Sequence, residues 1–227
     1  MSTGQSVPGD RGDTSLDAWE AAYLRFETPD QEVRKFRRRL TKLGARGWAR
    51  EARILELFCG RGNGLRALAS LGFKRVCGVD LSAALLGHVR DNGSLVLADC
   101  RDLPFINASH DFVIIHGGLH HLPRLPRDFD QTISEVRRVL RDGGRLVAVE
   151  PWRTPFLSIV HRLTENALIR RISPRFDALA TMIELEGETY ETWLDLAGTI
   201  RRGFESAFRV EVCRAEWGKL LFVGEKK

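Results

Sequence analysis

The segment Ile54-Leu55-Glu56-Leu57-Phe58-Cys59-Gly60-Arg61-Gly62-Asn63-Gly64 constrains this chain more than any other stretch. It reads as a short buried strand with an acidic residue near its tip, then a glycine-rich turn, then a helix opening at Leu65. Glycines there let the backbone turn tightly and leave room for a ligand to lie against main-chain amides. The helix start presents N–H groups that have no intrahelical partner. Glu56 at the strand tip suits a ligand carrying hydroxyls or an ammonium, so a nucleoside is expected at this edge.

Two further carboxylates sharpen that expectation. Arg75-Val76-Cys77-Gly78-Val79-Asp80 is a second apolar run, ending where a ribose-binding acidic residue belongs, ~20 residues past the glycine turn. Leu95-Val96-Leu97-Ala98-Asp99-Cys100 ends in a third, before the turn-like Arg101-Asp102-Leu103-Pro104. Three successive strands finishing in carboxylates put all three at one edge of a parallel sheet. Ligands of such sheets bind beyond the carboxyl ends of the strands, where strand order reverses.

On these residues the chain resembles a class I S-adenosylmethionine-dependent methyltransferase of the small-molecule type. Glu56 to Gly62 match the family's first motif, with Gly60 and Gly62 as its second and third glycines, and Asp80 and Asp99-Cys100 match the next two. Asp111 to Leu122 match the fourth strand and its loop, and Val139 to Pro151 match the leader, the Gly-Gly pair and the fifth strand. The resemblance runs in order from about Arg53 to Pro151. It implies a Rossmann-like, doubly wound, mostly parallel seven-stranded sheet with an antiparallel last strand, and S-adenosylmethionine as cofactor.

Site residues follow from the same matches. Glu56, with the turn Phe58, Cys59, Gly60, Arg61 and Gly62, is expected to hold the methionine end. Asp80 is expected to bridge the ribose hydroxyls, with Leu81 on the adenine face. Asp99, the Cys100 amide and the adjoining Arg101 are expected at the adenine edge, and His116 and Gly117 beside the methionyl portion. Phe58 replaces the family's usual first glycine. A bulky residue at positive φ is strained, so a negative φ is expected there. The competing reading is a nicotinamide dinucleotide turn and an oxidoreductase. That fingerprint wants a small residue where Leu65 stands, and Glu56 would sit near a pyrophosphate.

Methyl transfer from a sulfonium is an in-line displacement in which the protein supplies alignment and a dry pocket. A base is needed only for a protonated acceptor. The candidates are His120, His121 and Glu150: the histidines because they titrate near neutrality, Glu150 because it ends strand five at the pocket edge. A non-catalytic module that holds the cofactor for a partner is the alternative from another class. Cys59, Cys77, Cys100 and Cys213 have neither disulfide nor zinc spacing, so free thiols, no metal and a cytoplasmic setting are expected.

The chain of 227 residues is 43% hydrophobic, enough for one sizeable core. Residues 1–14 are expected to be an unfolded lead-in and 15–227 a single domain: N-terminal helices over 15–50, a cofactor-binding core over 53–150, a helical insert over 151–206 and a closing hairpin over 207–227. Ser15 is placed to cap the first helix, and His120-His121-Leu122 to open the helix after strand four. The net charge of +5 gathers partly in Arg34, Lys35, Arg37, Arg38 and Arg39, expected to form a solvated helix face. No aromatic platform, zinc spacing or Asp-Pro-Pro-aromatic loop supports nucleic acid, so a small-molecule acceptor is expected. Phe156, Leu157, Val160, Leu163, Ala167, Leu168 and Ile172 form an apolar stripe, read as core-facing, with membrane contact the alternative. The oligomeric state is left open.

Overall fold

β1 (Arg53–Leu57), β2 (Arg75–Asp80), β3 (Ser94–Leu97), β4 (His110–His116), β5 (Leu140–Pro151), β6 (Phe208–Glu216) and β7 (Lys219–Lys226) form one sheet. Their order in this computed structural model, which describes residues 13–89 and 93–227, is β3-β2-β1-β4-β5-β7-β6. Strands β1 to β5 run parallel, and β7 runs antiparallel to both its neighbours. The expected doubly wound sheet is therefore present. Chain order reverses between β1 and β4, which opens a crevice beyond their carboxyl ends.

Period-two alternation decides what each face of β1 does. Leu55 and Leu57 face a core built with α5 (Arg127–Val139), α8 (Pro174–Asp195) and α9 (Ala197–Ala207). Ile54 faces the opposite core, under α2 (Pro29–Lys42) and α3 (Asn63–Ser70), while the short α4 (Ala83–Leu86) follows β2. Glu56 shares that second face, so its carboxylate is carried into the protein beneath the start of α3. Helix α2 begins with a capping box, Thr28 and Gln31 each bonding the other's backbone N–H, and has Pro29 in its first turn.

Several expectations are corrected. α1 spans Asp13–Phe26 and so starts two residues before Ser15, while residues 1–12 of the expected lead-in lie outside the described residues. His120 and His121 sit in a 3-10 turn, Leu119–His121, and α5 starts only after Pro126. A proline disfavours helix in the residue before it, which separates the two elements. The insert's apolar stripe is divided between α6 (Pro155–Thr164) and α7 (Ala167–Ile172), because the Asn166 side chain caps α7. Pro174 occupies the first turn of α8, where its missing N–H costs nothing. No helix among the described residues is long and apolar enough to cross a membrane.

Candidate functional site

The strand tips, the turn after β1, helices α1 and α2, and the insert enclose a cavity of about 1420 Å³. Every residue expected to bind the cofactor lines it except Gly62, the helix cap one residue beyond the turn. Glu56 lies one residue inside β1, Asp80 ends β2 and Asp99 follows β3 by two residues, so the three carboxylates meet at one edge.

Asp80 accepts N–H bonds from Gly60 (2.8 Å) and Ser82 (2.9 Å), tying the β2 tip to the glycine turn. Beside it Leu81 is 68% exposed, an apolar side chain left open on the cavity wall. Asp99 is held by its neighbour Arg101. It accepts from the Arg101 backbone N–H (2.8 Å) and Nε (2.9 Å), and these bonds hold its carboxyl below the usual range. Arg101 Nη1 also reaches the fully buried Asp128 at 2.8 Å. Arg101 thereby fixes this part of the cavity wall to α5.

Glu56 is buried, with no hydrogen-bond partner for Oε2. Burial first, and Glu32 second, push its pKa up to about 8. Its neighbour is the start of α3. A Cβ built on Gly64 would lie 1.6 Å from Glu56 Oε1, so only glycine lets the helix pass over the carboxylate. Both ring nitrogens of His116 are buried without partners, and the ring stacks on Phe36 at 4.3 Å. Burial, then Arg39 and Lys35, lower its pKa to about 3. Two unsatisfied buried polar groups side by side are costly unless a ligand completes them.

Phe58 has φ 57°, against the negative value expected. The chain turns left-handed there to carry Cys59 back toward Val79, whose carbonyl accepts the Cys59 N–H at 3.1 Å. The ring offsets the strain by packing flat against Gly118, where an added Cβ would sit 2.1 Å from Phe58 Cγ.

A second polar cluster stands further along the cavity. Glu150 is fully buried; Oε1 accepts the Gly118 and Leu119 N–H groups at 2.9 and 3.0 Å, and Oε2 lies 2.8 Å from His120 Nδ1. Burial raises the Glu150 pKa and lowers those of His120 and His121 to about 3, against the near-neutral titration expected of both histidines, so His120 is a neutral imidazole sharing a proton with this carboxyl. The far nitrogen of His120, His121 and Glu186 bring donor atoms within 4.8 Å of one another, a spacing that a metal ion could use, although the sequence suggested none. Glu186 is oriented by Trp19 Nε1–H at 2.9 Å. Burial lowers the Lys219 pKa to about 8, and it faces the same space. Around the cluster the wall is apolar: Leu157, Val160, Phe176, Leu179, Met182 and Ile183.

Sequence reading missed Glu32, Lys35, Arg39, Glu186 and Lys219. The basic run of α2 is only half a solvated face: Arg34, Arg37 and Arg38 are exposed, while Lys35 and Arg39 turn into the cavity. Their spacing of four residues, in phase with Phe36 and Leu40, was the available signal.

Residues 55–148 match the family described as a methyltransferase domain. The chain is 34% identical over 164 residues to a demethylmenaquinone methyltransferase of Clavibacter sepedonicus, covering 64% of each chain. It is 27% identical over 173 residues to a fatty-acid O-methyltransferase of Mycolicibacterium smegmatis, covering 67% of this chain and 62% of the relative. The chain thus spans less than two-thirds of the length of these relatives. In fold it is similar to the PH0226 protein of Pyrococcus horikoshii OT3, with a TM-score of 0.66, 20% identity, and coverage of 92% of this chain and 98% of the other.

Proposed function

We propose that this chain, a class I S-adenosylmethionine-dependent methyltransferase, moves a methyl group to a hydroxyl or amine of a largely apolar small molecule. The observation that carries the reading is a single cavity lined by two unlike groups: three strand-tip carboxylates, and the pair His120 and His121, with Glu150 buried behind His120, amid apolar side chains.

The cofactor end suits a sulfonium nucleoside. Asp80 can accept from two ribose hydroxyls, Leu81 can cover adenine, and the Asp99–Arg101 pair with the Cys100 amide can border its edge. Glu56 Oε2 and the ring nitrogens of His116, buried without hydrogen-bond partners, suit the methionyl ammonium. Arg39 and Lys35 offer positive charge for its carboxylate, a role supported by their place in the cavity. A pyrophosphate is disfavoured, because Glu56 and Asp80 would face it. When bound, the cofactor supplies the activated methyl group.

The residues of the chain then align and deprotonate the acceptor. Glu150 holds the Gly118 and Leu119 amides and one nitrogen of His120. In the tautomer that donates Nδ1–H to Glu150, the other nitrogen of His120 bears a lone pair that orients the acceptor and can take its proton once attack on the methyl group has made that proton acidic. His121, open to the cavity, is the second candidate. Two relatives are named for demethylmenaquinone and a fatty acid, and the apolar wall suits acceptors of that kind. Free thiols at all four cysteines fit a cytoplasmic setting.

The test incubates the protein with methyl-labelled adenosylmethionine and metabolite extracts divided into organic and aqueous fractions. Label is expected in an organic-soluble product and is lost in Asp80→Ala. A protein that binds the cofactor yet labels nothing would instead be a binding module.

A further inference from the structure

The β6–β7 hairpin turns through Trp217 and Gly218, with φ of 51° and 74°. Two central residues at positive φ make the type I′ turn, whose first position favours Asn, Asp or Gly. Tryptophan is a poor choice there on backbone grounds, and its side chain gains nothing from the core, being 75% exposed. A residue that works against its own turn and remains in solvent calls for a partner outside the fold.

Its surroundings say what kind. The Trp217 ring meets Phe156 edge-on, with centroids 5.3 Å apart. Phe156 and Ile159 of α6 are 43% and 57% exposed, and Leu168 and Ile172 of α7 are 67% and 71% exposed. Five of the eleven exposed large apolar side chains among the described residues therefore lie on two short helices and one hairpin tip. The sequence stripe read as core-facing is thus turned outward in these positions. Scattered apolar residues need no explanation; a concentration does. Arg162 and Arg171 stand exposed in the last turns of α6 and α7, without an acidic partner among the described residues. Phe156 and Trp217 also line the cavity, so the patch borders its opening.

We propose that this face seats the protein on an anionic lipid bilayer. Trp217 and the outer sides of α6 and α7 enter the headgroup region, Arg162 and Arg171 meet lipid phosphates, and the cavity opens onto the lipid. Aromatic tips and interleaved cations fit an interface that is apolar below and anionic above. An acceptor with an apolar chain could then enter without crossing water.

The full chain is floated with vesicles of phosphatidylcholine, with and without phosphatidylglycerol, without cofactor or acceptor. Vesicle binding and methyl transfer can therefore fail independently. The wild type is expected to float with anionic vesicles, less with neutral ones, and less as salt is raised. Trp217→Asn supplies a residue the turn prefers, so it should melt no lower than the wild type while its partitioning falls roughly tenfold. Arg162→Glu with Arg171→Glu should abolish the preference for anionic vesicles. Arg37→Glu with Arg38→Glu, on the exposed side of α2, should leave it intact. The proposal is overturned if the wild type ignores anionic vesicles, if Trp217→Asn binds them as well, or if the α2 pair carries the affinity. Self-association that protects Trp217 from quenching without vesicles would overturn it too, identifying a second copy as the occupant.

Discussion

Replacing Gly64 by alanine puts one methyl group against the most unusual group in the site. The new Cβ would sit 1.6 Å from Glu56 Oε1 and 2.4 Å from its carboxyl carbon, so the carboxylate must move by well over an ångström. Two effects oppose each other. Alanine is the better helix former by about 0.8–1.0 kcal/mol, whereas forcing an atom into a packed core costs about 1–3 kcal/mol. The expected net loss is about 1 kcal/mol, or a melting point roughly 2–4 °C lower for a chain of this size. Cofactor affinity should suffer more. On the proposed role of Glu56, a displaced carboxylate forfeits a charge-assisted bond to the methionyl ammonium worth about 1.5–3 kcal/mol, which is roughly a 10- to 150-fold rise in Kd. Calorimetric titration and thermal melts of Gly64→Ala, Glu56→Ala and the double variant separate the two effects. In the double variant the Cβ has nothing to strike, so stability should recover while affinity stays low. A Gly64→Ala protein that melts higher and binds the cofactor unchanged would refute both the wedge and the assignment of Glu56.

Three further outcomes are expected. Phe58→Gly should be more stable than Phe58→Ala by about 1 kcal/mol in denaturant melts, because φ is 57° there; alanine equal to or better than glycine would contradict this. Glu56 has a folded pKa raised to about 8, so between about pH 4.3 and 8 the folded state holds a proton that the unfolded state releases, and stability is lost as pH rises through that window. Glu56→Gln should therefore exceed the wild type by about 3 kcal/mol at pH 7 without cofactor, the gap closing toward pH 4; a gap independent of pH would be wrong for this account. Glu150→Gln should keep cofactor affinity within about twofold while slowing turnover roughly 100-fold, because only the acceptor side is disturbed; unchanged turnover would leave Glu150 as a support for the Gly118 and Leu119 amides.

The strand-tip carboxylates and their shared edge were legible because their determinants are local. A strand, its acidic tip and the following turn occupy a dozen adjacent residues, and Asp80 and Asp99 repeat the pattern one strand further along. Phe58 misled because its φ is set by what receives the ring: Gly118, sixty residues away, leaves a flat surface that makes a strained backbone tolerable. The cluster around His120 was harder for the same reason. Glu186 on α8, Lys219 on β7 and Trp19 on α1 meet only through tertiary packing, and nothing in their immediate neighbours marks them. The stripe of α6 and α7 shows the limit of periodicity: spacing identified an apolar face without saying whether protein or something else covers it.

Adenosylmethionine titrated calorimetrically into the wild type and Asp80→Ala, with both confirmed folded by circular dichroism, is the most direct trial of the shared strand-tip site. One nucleoside should bind the wild type, and loss of two hydroxyl bonds to a carboxylate, about 1.5 kcal/mol or more each, should weaken it at least ~100-fold in the variant. Equal affinity in the two proteins, or tighter binding of a nicotinamide dinucleotide than of adenosylmethionine, would contradict it.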